Sequence, residues 1–349
     1  VGGWQTTGLF ALPGCAVSLT IVDDKATQQQ FDETTWEVRI GCHADKLWHK
    51  TEWSRYPDCS MTWKLEKTFS VCSPFGGPIY FECVSTSRNT SKIEFNCTNS
   101  IQAPVFNLGL IEGEWKQRQC HPAPYAELCG DKLIFSVPSS TIRLLSADHL
   151  TNVMKFWDSV VASHCELTGA SVFVSRLERV VCDVQISYGY MHSGYPVMVH
   201  LDQVDGTGAS DSPSILNLEA LNVKGSWGLF HEFGHNKQLD SYTIATTVEV
   251  TVNLFSLYTM WSKFGTAALY HPWLDPAKVL AREHLKADTP TLPTDYGVAL
   301  MSYAQLIERF GWDTLKLVLK QFLHSTRCVG DHTMVTDENG AFILKKDST

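Results

Sequence analysis

The spacing of apolar residues changes part-way along this chain, and that change limits its fold more than any other feature. Before residue 139 they recur at every second position, as in Val17-Ser18-Leu19-Thr20-Ile21, Trp36-Glu37-Val38-Arg39-Ile40 and, less cleanly, Ile79-Tyr80-Phe81-Glu82-Cys83. Period two is the signature of half-buried strands. Pro13-Gly14, Pro74-Phe75-Gly76-Gly77-Pro78 and Asn96 to Ser100 supply the turns. A further strand, Leu133 to Val137, closes this region. Beyond Ser139 the period becomes helical. Ser146-Ala147-Asp148 caps a predicted helix from about His149 to His164, with Leu150, Met154, Trp157 and Val161 on one face. Strands at Arg179 to Ser187 and Val197 to Leu201 interrupt a mainly helical pattern that runs to about Leu323. Gly311-Trp312-Asp313 opens the last helix. The expectation is an α+β chain: a β-rich, sandwich-like subdomain over 1–138, a mainly helical subdomain over 139–328, and a loose polar tail over 329–349.

At 349 residues and 44% hydrophobic content the chain can bury a large core. A net charge of −9 and no clustered Lys and Arg argue against a nucleic-acid partner. No apolar run approaches the roughly 18 residues of a membrane span. The start, Val1-Gly2-Gly3-Trp4, is unlike a signal peptide and reads as a piece of a longer protein. Eleven scattered cysteines form no CxxC pair, which disfavours a cysteine metal site. They leave the compartment open, as do the sequons Asn89-Thr90-Ser91 and Asn96-Cys97-Thr98.

The decisive stretch is Gly228-Leu229-Phe230-His231-Glu232-Phe233-Gly234-His235-Asn236. On a helix, residues four apart share a face, so His231 and His235 present two imidazoles to one point. They suit one Zn²⁺, and Glu232 beside them is the candidate general base for a water at the metal. The third ligand is Glu249, with thirteen residues between it and His235, brought back by a turn around Leu239 to Thr243. This requires Thr243 to Val252 to be helical although its β-branched residues favour strand. Val248, Val252, Phe255 and Thr259 offer a helical stripe, and Asp240 is the fallback ligand if the segment is a strand. Asn253, one turn after Glu249, can orient the far nitrogen of a ligand histidine. Three protein ligands and an open fourth position make a catalytic rather than a structural zinc site.

Other residues carry blander readings. His192 and His200 read as ordinary surface or core histidines. Tyr296 and Tyr303 could face an oxyanion but are expected to pack, and Trp4, Trp48, Trp63, Trp227 and Trp312 are expected in the core. Val197 to Leu201 is a candidate edge strand for pairing with an extended substrate.

The run from Gly228 to Gln238 resembles the active-site helix of the enhancin-type, mucin-degrading metallopeptidases, and Glu249 to Tyr258 resembles their glutamate helix. Further segments look like the peptidase-like C-terminal domain of the vertebrate TRP-channel-associated factors: Ile40-Gly41-Cys42-His43-Ala44-Asp45, Asp183 to Ser187, Met191 to Met198, and Phe310-Gly311-Trp312-Asp313. The likeness runs from about Gly3 to Leu323. It implies a gluzincin zinc metallopeptidase fold, a glycosylated or mucin-like protein substrate, and as the alternative a regulatory module acting on a TRP-type membrane channel. By the same likeness the expected setting is cytoplasmic or peripheral to the plasma membrane, with a secreted one as the alternative. Some of these factors lack the second zinc histidine; this chain keeps His235.

Overall fold

The period-two segments form paired strands in the computed structural model, which describes residues 3–22, 25–84, 93–170, 176–205, 214–243, 247–268, 271–284, 286, 295–328, 332–336 and 342–346. The strands up to residue 107 are β1 (Gln5–Ala11), β2 (Ala16–Ile21), β3 (Trp36–Ile40), β4 (Met61–Lys64), β5 (Thr68–Cys72), β6 (Gly77–Cys83), β7 (Phe95–Thr98), β8 (Ser100–Gln102) and β9 (Val105–Asn107). One antiparallel sheet runs β4-β3-β6-β1-β8 and a second runs β5-β2-β7. Inward residues of both, among them Ala11, Val17, Leu19, Val38, Ile40, Val71 and Ile79, make a single core. That is the sandwich the alternation predicts. Gly77 allows one close approach within it. Its φ is +135°, and a Cβ there would lie 2.6 Å from the Gly41 Cα.

A six-stranded sheet follows, made with β10 (Tyr125–Cys129), β11 (Leu133–Pro138), β12 (Glu178–Asp183), β13 (Met191–His192) and β14 (Val197–His200), in the order β13-β14-β12-β11-β10-β9. It draws strands from both sides of residue 138. β11, β12 and β14 run parallel, so each connection needs a long crossover. All six residues of β12 are buried, as expected of a strand covered on both faces. Arg179 at its start is fully buried and paired with Glu127, which also accepts from Tyr80 Oη (2.9 Å) and Ser136 Oγ (2.8 Å). Val197 to Leu201 is therefore not the free edge expected: β13 pairs antiparallel with β14 at Met198 and Val199.

The helices are α1 (Lys25–Glu33), α2 (Glu112–Arg118), α3 (Ala147–Thr168), α4 (Asp202–Asp205), α5 (Leu218–Lys224), α6 (Trp227–His235), α7 (Val248–Thr251), α8 (Asn253–Phe264), α9 (Asp275–His284), α10 (Tyr296–Phe310) and α11 (Trp312–Cys328). α3 is longer at both ends than its apolar stripe predicts, and Ser146 Oγ accepts from the His149 N–H as expected of its cap. Contacts group the chain into two units, 1–161 with 173–232, and 162–172 with 233–349, so one border falls inside α3 and another inside α6. Within the first unit, Trp157 of α3 meets Phe135 and Phe230 edge-on at 5.7 and 6.2 Å. Within the second, Tyr258 packs on Trp312 at 5.0 Å, and the fully buried His164 bonds Thr259 through Nε2 at 3.0 Å. Residues expected to form a loose tail include a hairpin, His332–Thr336 paired with Phe342–Lys346. Among the described residues no helix is long and apolar enough to cross a membrane, and Cys15 through Cys182 are unbridged. The Asn89 sequon lies outside the described residues; Asn96 sits in β7, opposite Thr20.

A candidate metal centre on α6 and α7

Leu229, Phe230 and Phe233 are buried at 1% exposure or less, which fixes α6 as a half-sunk helix with one face left for chemistry. His231 and His235 stand on that face, both partly buried. Glu232, between them in sequence, is 9% exposed. After a short 3₁₀ turn at Asp240–Tyr242 the chain re-enters helix at α7, and one donor atom each of His231, His235 and Glu249 lies within 4.8 Å of the others. The His235 Nε2 to Glu249 Oε1 distance is 3.6 Å. Two donors about 2.1 Å from a tetrahedral zinc stand about 3.4 Å apart, so this pair matches one edge of such a site. Two imidazoles and a carboxylate are also the borderline donor set that zinc takes.

α7 is helical against its β-branched composition because its backbone and hydroxyl groups are held locally. Thr251 Oγ1 donates to the Thr247 carbonyl at 3.2 Å, and Val252, in αR geometry, joins α7 to α8. The stripe expected there is only partly correct. Val252, Phe255 and Thr259 are buried, but Val248 is 37% exposed, since it sits on the turn beside Glu249 and faces out. Asp240, the fallback ligand, is exposed in the 3₁₀ turn and outside the donor cluster. Asn253 is 2% exposed, and its Nδ2 donates to the Glu249 carbonyl at 2.7 Å, one turn back. It thus braces the backbone that carries Glu249.

Three features were not legible in the sequence. Gly234 packs against the start of α8: a Cβ there would meet Val252 Cγ2 at 2.9 Å, Phe255 Cβ at 3.0 Å and the Val252 carbonyl oxygen at 3.1 Å. Gln238, three residues past His235, places Oε1 3.2 Å from His235 Nδ1. His192 is no ordinary histidine. Its Nε2 is 2.8 Å from Asp45 Oδ2 and its Nδ1 2.9 Å from the Ser193 carbonyl. Burial alone would lower the His192 pKa, but the bonds to Asp45 and Ser193 and the charges of Asp45 and Glu232 outweigh it, so the imidazolium is favoured. Asp45 is correspondingly held below its ordinary range: burial opposes this, and the bonds from His192 and the Ser187 N–H prevail. The same segments are laced further. Arg55 Nε meets Asp183 Oδ2 at 2.8 Å, the Ser54 N–H donates to Gln185 Oε1 at 2.7 Å, and Gln185 Nε2 donates to the Glu52 carbonyl at 2.9 Å. Met191, next to His192, sets its sulfur against Gly228 of α6.

Of the other residues weighed, His200 stacks on Tyr190 at 5.6 Å. Tyr296 is 51% exposed at the start of α10, and Tyr303 is half-buried, which raises its phenol pKa. Trp4 and Trp312 are core residues, Trp63 and Trp227 are partly buried, and Trp48 is 54% exposed, edge-on to Trp53 and Tyr56.

Residues 1–97 match the N-terminal domain of M60-like peptidases, and residues 99–339 match peptidase M60, enhancin and enhancin-like. Among curated relatives, the TRPM8 channel-associated factor homolog of Danio rerio is 33% identical over 337 residues, covering 94% of this chain and 35% of its own length. This chain thus spans about a third of that relative. Among solved structures, the ZmpB metallopeptidase from Clostridium perfringens superposes with a TM-score of 0.64 at 15% identity, over 90% of this chain and 66% of that one. IMPa from Pseudomonas aeruginosa, in complex with an O-glycopeptide, gives 0.61 at 15% identity, over 94% and 42%. The helical half that carries His231, Glu232, His235 and Glu249 falls within the longer of the two matched segments, and the chain belongs to the M60 peptidase family, enhancin and enhancin-like.

Proposed function

We propose that this chain is a zinc-dependent peptidase domain in which His231, His235 and Glu249 hold the metal and Glu232 is the general base. The observation that carries the reading is the convergence of those three donors within 4.8 Å, with Glu232 on the same helix. Zinc bound there supplies a Lewis acid that polarises a peptide carbonyl and acidifies water. Glu232 accepts the proton of the attacking water on a carboxylate oxygen and passes it to the leaving amine nitrogen, so one side chain serves as base and then acid. A purely structural zinc site has no use for such a carboxylate beside a full set of ligands. β13 stands at the edge of its sheet, with Met191 against α6, and is the strand on which an extended substrate can add. The favoured substrate is a glycosylated, mucin-like protein, in line with the O-glycopeptide held by the IMPa neighbour.

Metal analysis of the purified domain is the first test, and about one zinc per chain is expected. A metal-free protein with both histidines intact sinks the reading. Glu232→Gln should keep the zinc and lose cleavage of a mucin-type glycoprotein; unchanged turnover removes Glu232 from the mechanism.

The relation to the channel-associated factors supports a second reading, a regulatory module on a TRP-type membrane channel. Replacing His231 and His235 together by Ala separates the two. Channel binding that survives, with no glycoprotein ever cut by the unmodified domain, favours the module. Proteolysis that vanishes with the histidines favours the enzyme.

A further inference from the structure

Gln238 makes three contacts that together leave one arrangement of protons. Its Nε2 lies 2.9 Å from the Val248 carbonyl oxygen and 2.5 Å from Thr251 Oγ1. A carbonyl oxygen only accepts, so the group facing Val248 must be the amide nitrogen. Thr251 is consistent with this. Its hydroxyl proton goes to the Thr247 carbonyl at 3.2 Å, which leaves the oxygen to accept from Gln238. Both amide protons are thereby assigned to α7. The Gln238 carbonyl oxygen then faces His235 Nδ1 at 3.2 Å, and as an acceptor it requires a proton on that nitrogen. In the neutral imidazole the lone pair must therefore be on Nε2, the nitrogen 3.6 Å from Glu249 Oε1.

We infer that Gln238 is a positioning residue: its amide fixes His235 as the Nδ1-protonated tautomer, with Nε2 open to metal, and ties that histidine to the turn carrying Glu249. The inference rests on the zinc reading of this site. One side chain here does two tasks: it sets the electronic form of one ligand and the distance to the next. Neutral imidazole in water prefers the opposite tautomer, with the proton on Nε2, so an unaided His235 would have to shift its proton before binding. Partners in this position typically change metal affinity by about 10–100-fold.

The test uses the full chain labelled with ¹⁵N-histidine, studied metal-free at a pH above the titration of His235, with the His235 signal identified by its absence in His235→Ala. Long-range ¹H–¹⁵N correlation should show His235 protonated at Nδ1. Gln238→Leu should move it towards the Nε2-protonated form and weaken zinc, measured against a chromophoric chelator, by about 10–100-fold. Gln238→Glu keeps an acceptor towards His235 but loses the donors to α7, so it should retain the tautomer and bind zinc with intermediate affinity. An unchanged tautomer and zinc affinity within twofold of the parent in Gln238→Leu would overturn the inference. Should that variant not fold, a Gln238→Glu protein whose His235 is protonated at Nε2 overturns it equally. If the parent binds no zinc, the proposed function fails, and the tautomer measurement on metal-free protein decides the role of Gln238 alone.

Discussion

Two glycines on α6 make opposite predictions from the same substitution. At Gly234 an added Cβ meets Val252 Cγ2 at 2.9 Å, Phe255 Cβ at 3.0 Å and the Val252 carbonyl oxygen at 3.1 Å. Ordinary carbon contacts are about 3.5–4.0 Å, so the start of α8 must retreat by roughly half an ångström. One of the three atoms is backbone and another is the Cβ that opens the Phe255 side chain, so rotation of a side chain cannot absorb the shift. Overpacking of this kind costs about 1–3 kcal/mol, against about 1 kcal/mol gained from replacing a helical glycine by alanine. Gly234→Ala should thus lose up to about 2 kcal/mol net. The larger effect is on metal. Glu249 lies one turn before Val252, and metal–ligand distances tolerate only about ±0.2 Å, so zinc affinity should fall at least about tenfold. At Gly228 the nearest atom to an added Cβ is Met191 Sδ, at 2.7 Å, in the flexible outer part of its side chain. Gly228→Ala should then be neutral or stabilising by up to about 1 kcal/mol, with zinc affinity unchanged. Thermal melts with and without zinc, together with chelator competition, read both variants. A Gly234→Ala protein that melts higher and binds zinc as the parent does would refute the close approach of the two helices.

Burial, assisted by the charge of Lys237, pushes the His164 pKa down to about 3 from its ordinary 6.5. The folded protein therefore keeps His164 neutral where the unfolded chain protonates it, and stability falls as pH drops from 6.5 towards 3. The loss should be about 2 kcal/mol between pH 6.5 and pH 5; urea titrations of His164→Gln should lack this slope, and an identical slope in both proteins refutes it. Glu127→Ala strands the fully buried Arg179 and removes the acceptor of Tyr80 and Ser136. It should lower the unfolding free energy by about 3–5 kcal/mol in denaturant titration, and a loss under about 1 kcal/mol would show that the guanidinium finds another partner.

What the sequence made legible was local. His231 and His235 are tied by helix geometry alone, and Glu249 needed only a turn of the right length, so the donor triad could be written down before any coordinates. The sandwich strands were equally readable, because alternation over five residues fixes a face. What stayed hidden depends on partners far away in sequence. His192 looked ordinary because its carboxylate, Asp45, is 147 residues distant. Gln238 was not singled out because two of its three side-chain partners lie on α7, and one of those is a backbone carbonyl. β13 is two residues long and carries no periodicity, so its neighbour β14 was mistaken for the edge. Val248 was assigned to an apolar stripe on residue type, while the turn that presents Glu249 rotates it outward.

The lacing of residues 45–55 to residues 183–192 bears on how this protein can be cut. The boundary between the two matched family segments, near residue 98, invites expression of the second alone. Such a fragment would keep Asp183, 1% exposed, but lose the guanidinium of Arg55 that neutralises it. It would also lose Asp45 from His192, and the backbone groups of Ser54 and Glu52 from Gln185. The excision also bares Val181, Ile186 and Met198, which pack with Trp4, Cys42 and Tyr80, and that lost apolar burial is large against a domain's margin of stability. The excised segment is therefore expected to be insoluble or molten, and adding residues 1–97 as a separate chain should restore a cooperative melt. A fragment 99–349 that melts cooperatively by itself would show that these contacts are dispensable.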